Sequence, residues 1–239
     1  LKTIQEMTDI YRDLEGDKVG GVGTDTKARL EKAIGRVLRL LVETLPEIGL
    51  VKVMIKVSGP DGRPTGFVRL GDPEFTEEFR RSAEFLPYAA STGWPVDQKM
   101  GPGDETLPWP EGLTCWYYEN MLGRQSSGDD SSFFRRTYEI PSIQDNPILR
   151  ERTHEQGLEG NLLLEPLKAP LLAIEANPLM GPDHIGVLFV YFPEPDTKLS
   201  LQDISFIKII ADQLSSLIET DKLLIETENK RKLEYQLSM

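Results

Sequence analysis

Three runs in the last third of the chain decide its fold: NLLLEPLKAP (161–170), IGVLFVYF (185–192) and KLSLQDISFIKIIADQLSSLIET (198–220). The first two are short apolar runs bounded by turn chemistry, here NPLMGPDH (177–184), and such runs read as strands. The third places Ile204, Ile207, Ala211, Leu214, Ile218 and then Ile225 at steps of three and four, which is one stripe along a helix. Asp221 interrupts that stripe. The helix is expected to run from about Ser200 to the chain end, so two strands feed one long helix.

Working outward, FFRRTYEI (133–140) reads as a further strand and ILRERTHEQG (148–157) as a short helix. Nearer the start, LVKVMIKV (50–57) alternates Val51, Val53, Ile55 and Val57 with Lys52, Met54 and Lys56. Period two with polar alternates predicts a half-buried strand. GPDGRP (59–64) is a turn, and TGFVRL (65–70) returns as the second arm of a hairpin. Before it, Leu30, Ala33, Ile34, Val37, Leu38, Leu41 and Val42 line one face of a helix capped by Thr24 or Asp25 and closed by Pro46. Residues 72–92 read as helical and 93–112, dense in Gly and Pro, as an extended loop. Residues 113–121 form an aromatic strand or short helix, and RQSSGDDSS (124–132) a polar loop. At the start, Leu1, Ile4, Met7, Tyr11 and Leu14 stripe a helix that Gly16, Gly20, Gly21 and Gly23 end.

The 239 residues carry a formal net charge of −12, with 39% hydrophobic side chains, enough for a proper core. An acidic balance without clustered cations argues against nucleic acid and against an anionic membrane surface. No apolar run approaches the roughly 20 residues a bilayer demands, and LKTIQEMTDI lacks the basic start and apolar block of a secretory signal. One cysteine, Cys115, excludes an internal disulfide and a Cys-rich zinc site. The expected location is the cytoplasm. A chain that begins with Leu1 and stops in a charged helical stretch is expected to be part of a longer protein.

The element order is α+β with an antiparallel sheet. In it, Glu165-Pro166-Leu167, Gly186-Val187-Leu188, Asp203 and Gln213 resemble the end of a GAF domain. The likeness extends over about 26–220. It implies a central sheet of about six strands flanked by N- and C-terminal helices, with a long C-terminal signalling helix. It implies three segments: an N-terminal helix and Gly-rich linker (1–25), a GAF-like sensor domain (26–220), and the start of a helical linker (221–239). It also implies a non-catalytic sensory module, homodimeric through its terminal helices, with an unidentified small molecule or protein as partner. KLEYQLSM at the end resembles the linker entering an output domain, a serine phosphatase or a histidine kinase. The alternative within the same resemblance is a ligandless dimerisation or protein-interaction module.

The pocket candidates are Trp116, Tyr118, His154 and Cys115. Aromatics among Gly/Pro loops supply contact area with polar handles, and they serve equally as loop staples. Cys115 reads as a small buried apolar residue or as a redox sensor. Trp116 follows it where light-sensing relatives carry His, so no covalent bilin is expected. His154 lies in an Arg/Glu-rich helix, which favours a solvated group over a haem ligand. The cofactor stays unassigned, and two separated histidines do not make a metal site. Arg135 and Arg136 beside Tyr138 either bind an anion or pair with carboxylates. GDKVGGVGT lacks the Gly-Lys-Ser/Thr ending of a phosphate loop, and no Gly-x-Ser-x-Gly elbow points to a hydrolase. The signalling seam is assigned to Ile204, Ile207, Ala211, Leu214, Ile218, Asp221 and Ile225. A charge at Asp221 would weaken it and favour two near-equal packings.

Overall fold

The computed structural model describes residues 26–58, 64–86, 88, 106–108, 138–140, 158–168, 184–194 and 197–237. The apolar stripe of the opening helix sets its place. Helix α1 (Thr26–Thr44) buries Leu30, Ile34, Val37, Leu38 and Leu41 in the main core. It hands over through a turn, with Leu45 and Ile48 buried, to strand β1 (Leu50–Ser58). Strand β2 (Pro64–Arg69) returns antiparallel, pairing Met54 with Arg69 and Lys56 with Phe67.

The sequence reading departs from the structure over 72–92. A two-residue strand β3 (Glu74–Phe75) pairs with the start of β1; Glu77–Arg81 form the short helix α2, and Phe85, Leu86 and Tyr88 are helical again after it. Thr76 stops the strand and caps the helix, its hydroxyl accepting the Phe79 amide at 3.2 Å. A second departure is strand β4 (Thr106–Pro108), inside the stretch expected to be loop. Its Leu107 pairs with Phe67 at the sheet edge, where a proline is tolerated. Strand β5 (Tyr138–Ile140) falls within the expected FFRRTYEI strand. The β6 (Asn161–Lys168) and β7 (His184–Phe192) strands stand where the apolar runs put them.

All pairings are antiparallel, in the order β4-β2-β1-β7-β6-β5, with β3 as a seventh strand beside β1. One face carries Val51, Val53, Leu163, Leu167, Leu188, Val190 and Phe192 into a core shared with α1 and the long helix α3 (Leu201–Leu237). Helix α3 opens with a reciprocal cap: Ser200 N donates to Asp203 at 2.9 Å and Asp203 N to Ser200 Oγ at 3.2 Å. It then packs on α1 and β6.

The first half of the stripe assigned to the signalling seam meets the protein's own core. Ile207, Ala211 and Leu214 are fully buried in the protein's own core, with Ile218 packed against it. The reason is geometric: α1 and the sheet present the complementary apolar surface, so this stretch of the stripe is consumed within the chain. The helix also continues unbroken through residue 220, where the sensor domain was expected to end.

Candidate functional site

The second face of the sheet differs in chemistry from the first. Period-two alternation and the strand registers place Leu50, Lys52, Met54 and Lys56 of β1 there, beside Phe67 and Arg69 of β2 and Val187, Phe189 and Tyr191 of β7. Leu162 and Leu164 continue it on β6. This face is not the solvent side that the Lys52/Met54/Lys56 alternation suggested. Lys52 is 1% exposed, Met54 0% and Arg69 5%, while Lys56 is half-buried. Alternation shows that two faces differ; it does not show that the more polar one is wet.

Lys52 lies opposite Phe189 in the register, and its ammonium stands 4.6 Å from that ring's centroid. The Tyr88 ring lies on it at 5.7 Å. Both are cation–π distances, worth up to about 2 kcal/mol for a desolvated cation. Arg69 stands across from Met54, midway between the two lysines on the same face. Three cations therefore gather on one hairpin of an acidic protein. The described strand positions of this face carry no carboxylate.

An aromatic cluster covers the β1 start of this face. Phe75 and Phe85 meet edge to face at 5.4 Å, Phe79 and Phe85 at 5.9 Å, and Phe79 and Tyr191 at 5.5 Å. Tyr191 ties the cover down. Its hydroxyl donates to the Glu84 carboxylate and accepts the amides of Glu159 at 3.1 Å and Gly160 at 2.9 Å. Burial pushes the Tyr191 phenol well above its ordinary range, and the Glu84 carboxylate adds to the effect. Burial likewise raises Glu84, helped by the charges of Glu159 and Glu194 and opposed by the Tyr191 hydrogen bond. Tyr191 thus joins β7, the segment after α2 and the entry to β6 through a phenol that keeps its proton.

The sequence-assigned pocket residues Trp116, Tyr118, His154 and Cys115 lie outside the described residues, as do Arg135, Arg136 and the early glycines. Lys52 and Arg69 were missed. Their signal was present in the sequence: two lysines flanking a methionine in one arm of a hairpin, with an arginine in the other. Like charges on neighbouring strand positions disfavour one another, so their recurrence on one face needs a cause. Among the described residues no group of His, Cys, Asp and Glu could hold a metal ion, and no helix is long and apolar enough to cross a membrane.

This architecture is shared with known structures. The chain is similar to the GAF domain of an Acinetobacter phosphoenolpyruvate-protein phosphotransferase, with TM-score 0.50 and 11% identity over 92% of this chain and 94% of that one. It is similar to a GAF domain/HD domain protein from Geobacter sulfurreducens, with TM-score 0.50 and 12% identity over 81% and 94%. No protein-family model matches the chain, and no curated protein sequence matches it. The likenesses define the class by its fold: the chain has the GAF fold. The motif residues that suggested it stand at structural positions. Gly186 to Leu188 run along β7, Leu167 enters the core, and Asp203 caps α3.

Proposed function

We propose that this chain is a cytoplasmic sensory module. It binds a small molecule on the second face of its sheet and passes the change through α3 to an output domain, a serine phosphatase or histidine kinase. The observation that carries the reading is the buried second face, where Lys52 and Arg69 stand among Phe67, Phe189 and Tyr191. A few polar groups in an apolar surround are the usual composition of a small-molecule site.

Transmission follows from the strands. On β7, Val187, Phe189 and Tyr191 face the site while Leu188, Val190 and Phe192 face α1 and α3. A shift of the backbone on one side therefore repacks the other, because close-packed cores rearrange between discrete states rather than deform smoothly. The relay is non-catalytic in this reading, and the protein acts as a homodimer.

Native mass spectrometry of the purified chain tests the proposal. The expected result is a dimer that retains extra mass or takes it up from a metabolite extract. A dimer that takes up nothing would sink the sensor reading in favour of a protein-interaction module.

A further inference from the structure

We infer that Glu77 to Leu86 form a lid over the β1–β7 half of the second face, hinged at Thr76 and latched where the Glu84 carboxylate accepts the Tyr191 hydroxyl. The inference rests on the sensory reading above and concerns how its site opens. The hinge is a change of anchorage. As far as Thr76 the backbone is tied to the sheet: Phe75 pairs with Leu50, Glu74 with Val51, and Thr76 N donates to Gly49 O at 3.0 Å. Glu74 is also held to Arg39 of α1 at 3.0 Å. Beyond Thr76 the bonds turn inward. Arg80 N donates to Thr76 O at 3.1 Å, Ser82 N to Phe79 O at 3.0 Å and Tyr88 N to Glu84 O at 3.1 Å. A helix as short as α2 does not hold itself in water, so the segment lies on the sheet through its side chains.

Those side chains hold it shut against opposition. Phe79 meets Tyr191 at 5.5 Å, and Tyr88, just past the segment, meets the Lys52 ammonium at 5.7 Å. Closure buries Phe79, Phe85 and Tyr88, which favours it. Two groups oppose it. The Ser82 Oγ is buried without a hydrogen-bond partner, so it has given up water without replacement. Glu84 is half-buried, and the charges of Glu159 and Glu194 add to the penalty on its ionised form. Both penalties end when the segment lifts and water reaches the two side chains. Tyr191 stays in place during the lifting, because its oxygen keeps the amides of Glu159 and Gly160. Rings favour the closed lid while a hydroxyl and a carboxylate oppose it, a balance that brings the open state within thermal reach. A ligand lying among Phe79, Tyr88 and Tyr191 adds ring contacts to the closed state alone and shifts the balance toward it.

Amide hydrogen exchange followed by NMR on the whole chain tests the lid. In wild type the Arg80, Ser82 and Tyr88 amides are expected to share one protection factor, at least about tenfold below that of Thr76, whose amide is anchored to Gly49. Ser82→Ala removes the orphaned hydroxyl and should raise the protection of these three positions about fivefold or more. Glu84→Ala removes the latch and should lower it by a similar factor, whereas Glu84→Gln, which keeps an acceptor for Tyr191, should not lower it. Each variant is first shown folded by circular dichroism. Ser82→Ala deletes a single oxygen atom and keeps the test valid if Glu84→Ala fails to fold.

Wild-type protection at the three positions equal to that of Thr76, or protection unmoved by Ser82→Ala, would overturn the lid. If the native mass spectrum of the same protein retains a ligand, the sensory reading survives that result. A segment that opens as expected in a protein that takes up nothing would overturn both readings, since the lid would have nothing to admit.

Discussion

A methyl group on Gly186 would stand 2.3 Å from the Met54 carbonyl oxygen, and no backbone atom of a paired strand can retreat that far cheaply. This is the physical content of the glycine in the Gly186-Val187-Leu188 run: β1 and β7 approach too closely there for a side chain. Gly186→Ala should therefore destabilise the fold by about 1–3 kcal/mol, the usual cost of overpacking a filled interior. Urea unfolding measures it, and an unchanged midpoint would refute the close approach. Glu84 makes a pH-dependent prediction. Its carboxyl is raised in the folded state, so its contribution favours folding below the ordinary value of 4.5 and is lost as pH rises through the raised value. Glu84→Gln keeps an acceptor for Tyr191 without titrating. The variant should gain stability relative to wild type between pH 4 and pH 7, read as a growing difference in melting temperature. A difference that is flat with pH would mean that Glu84 ionises as freely when folded as when unfolded.

Helix α3 shows at the scale of an element how one stripe serves two purposes. Leu214 and Ala211 are sealed in the core between α1 and the sheet. Leu214→Ala should cost about 2–5 kcal/mol through the cavity it leaves, measured by chemical denaturation, whereas a seam residue facing a partner would cost far less in a monomer. That α1 and α3 would form was legible because each repeats its apolar residues over two turns or more, and β7 because it is a short apolar run bounded by turn residues. What packs against each stripe was not legible, since periodicity marks a face without naming its neighbour. Ile207, Ala211 and Leu214 were assigned to a dimer seam for that reason. The short strands β3 and β4 escaped altogether, because Glu74–Phe75 and Thr106–Pro108 hold no periodic signal and exist through their partners in β1 and β2. Lys52 and Arg69 were legible as a charge pattern but not as a site, because their burial depends on what covers the hairpin.

For the whole molecule, the sheet works as a partition, with a charged aromatic face on one side and the helical layer on the other. Helix α3 belongs to that layer as far as Glu219, which is 9% exposed, and then runs on to Leu237, about 27 Å of further helix. The core consumes the stripe up to Ile218, so any helix seam between two copies must begin beyond it. Asp221 and Ile225 are the next two positions of the same three-and-four spacing, so Asp221 would be the first position of such a seam beyond the buried stripe. In a two-fold dimer that paired through this helix, a carboxylate there would meet its own copy, and repulsion and desolvation would both oppose pairing. Asp221→Leu should therefore tighten self-association at least tenfold while leaving Leu214 and the domain core undisturbed. Sedimentation velocity across a micromolar dilution series reads the association, and circular dichroism melting of the most dilute sample reads the core. A variant that associates no more tightly than wild type would place Asp221 off the interface and remove the α3 seam as the route out of the domain. Tighter association with an unchanged dilute melt would locate the dimer contact in the projecting half of α3. A change on the second face would then have to travel along the helix that the core already grips through Ile207, Ala211 and Leu214.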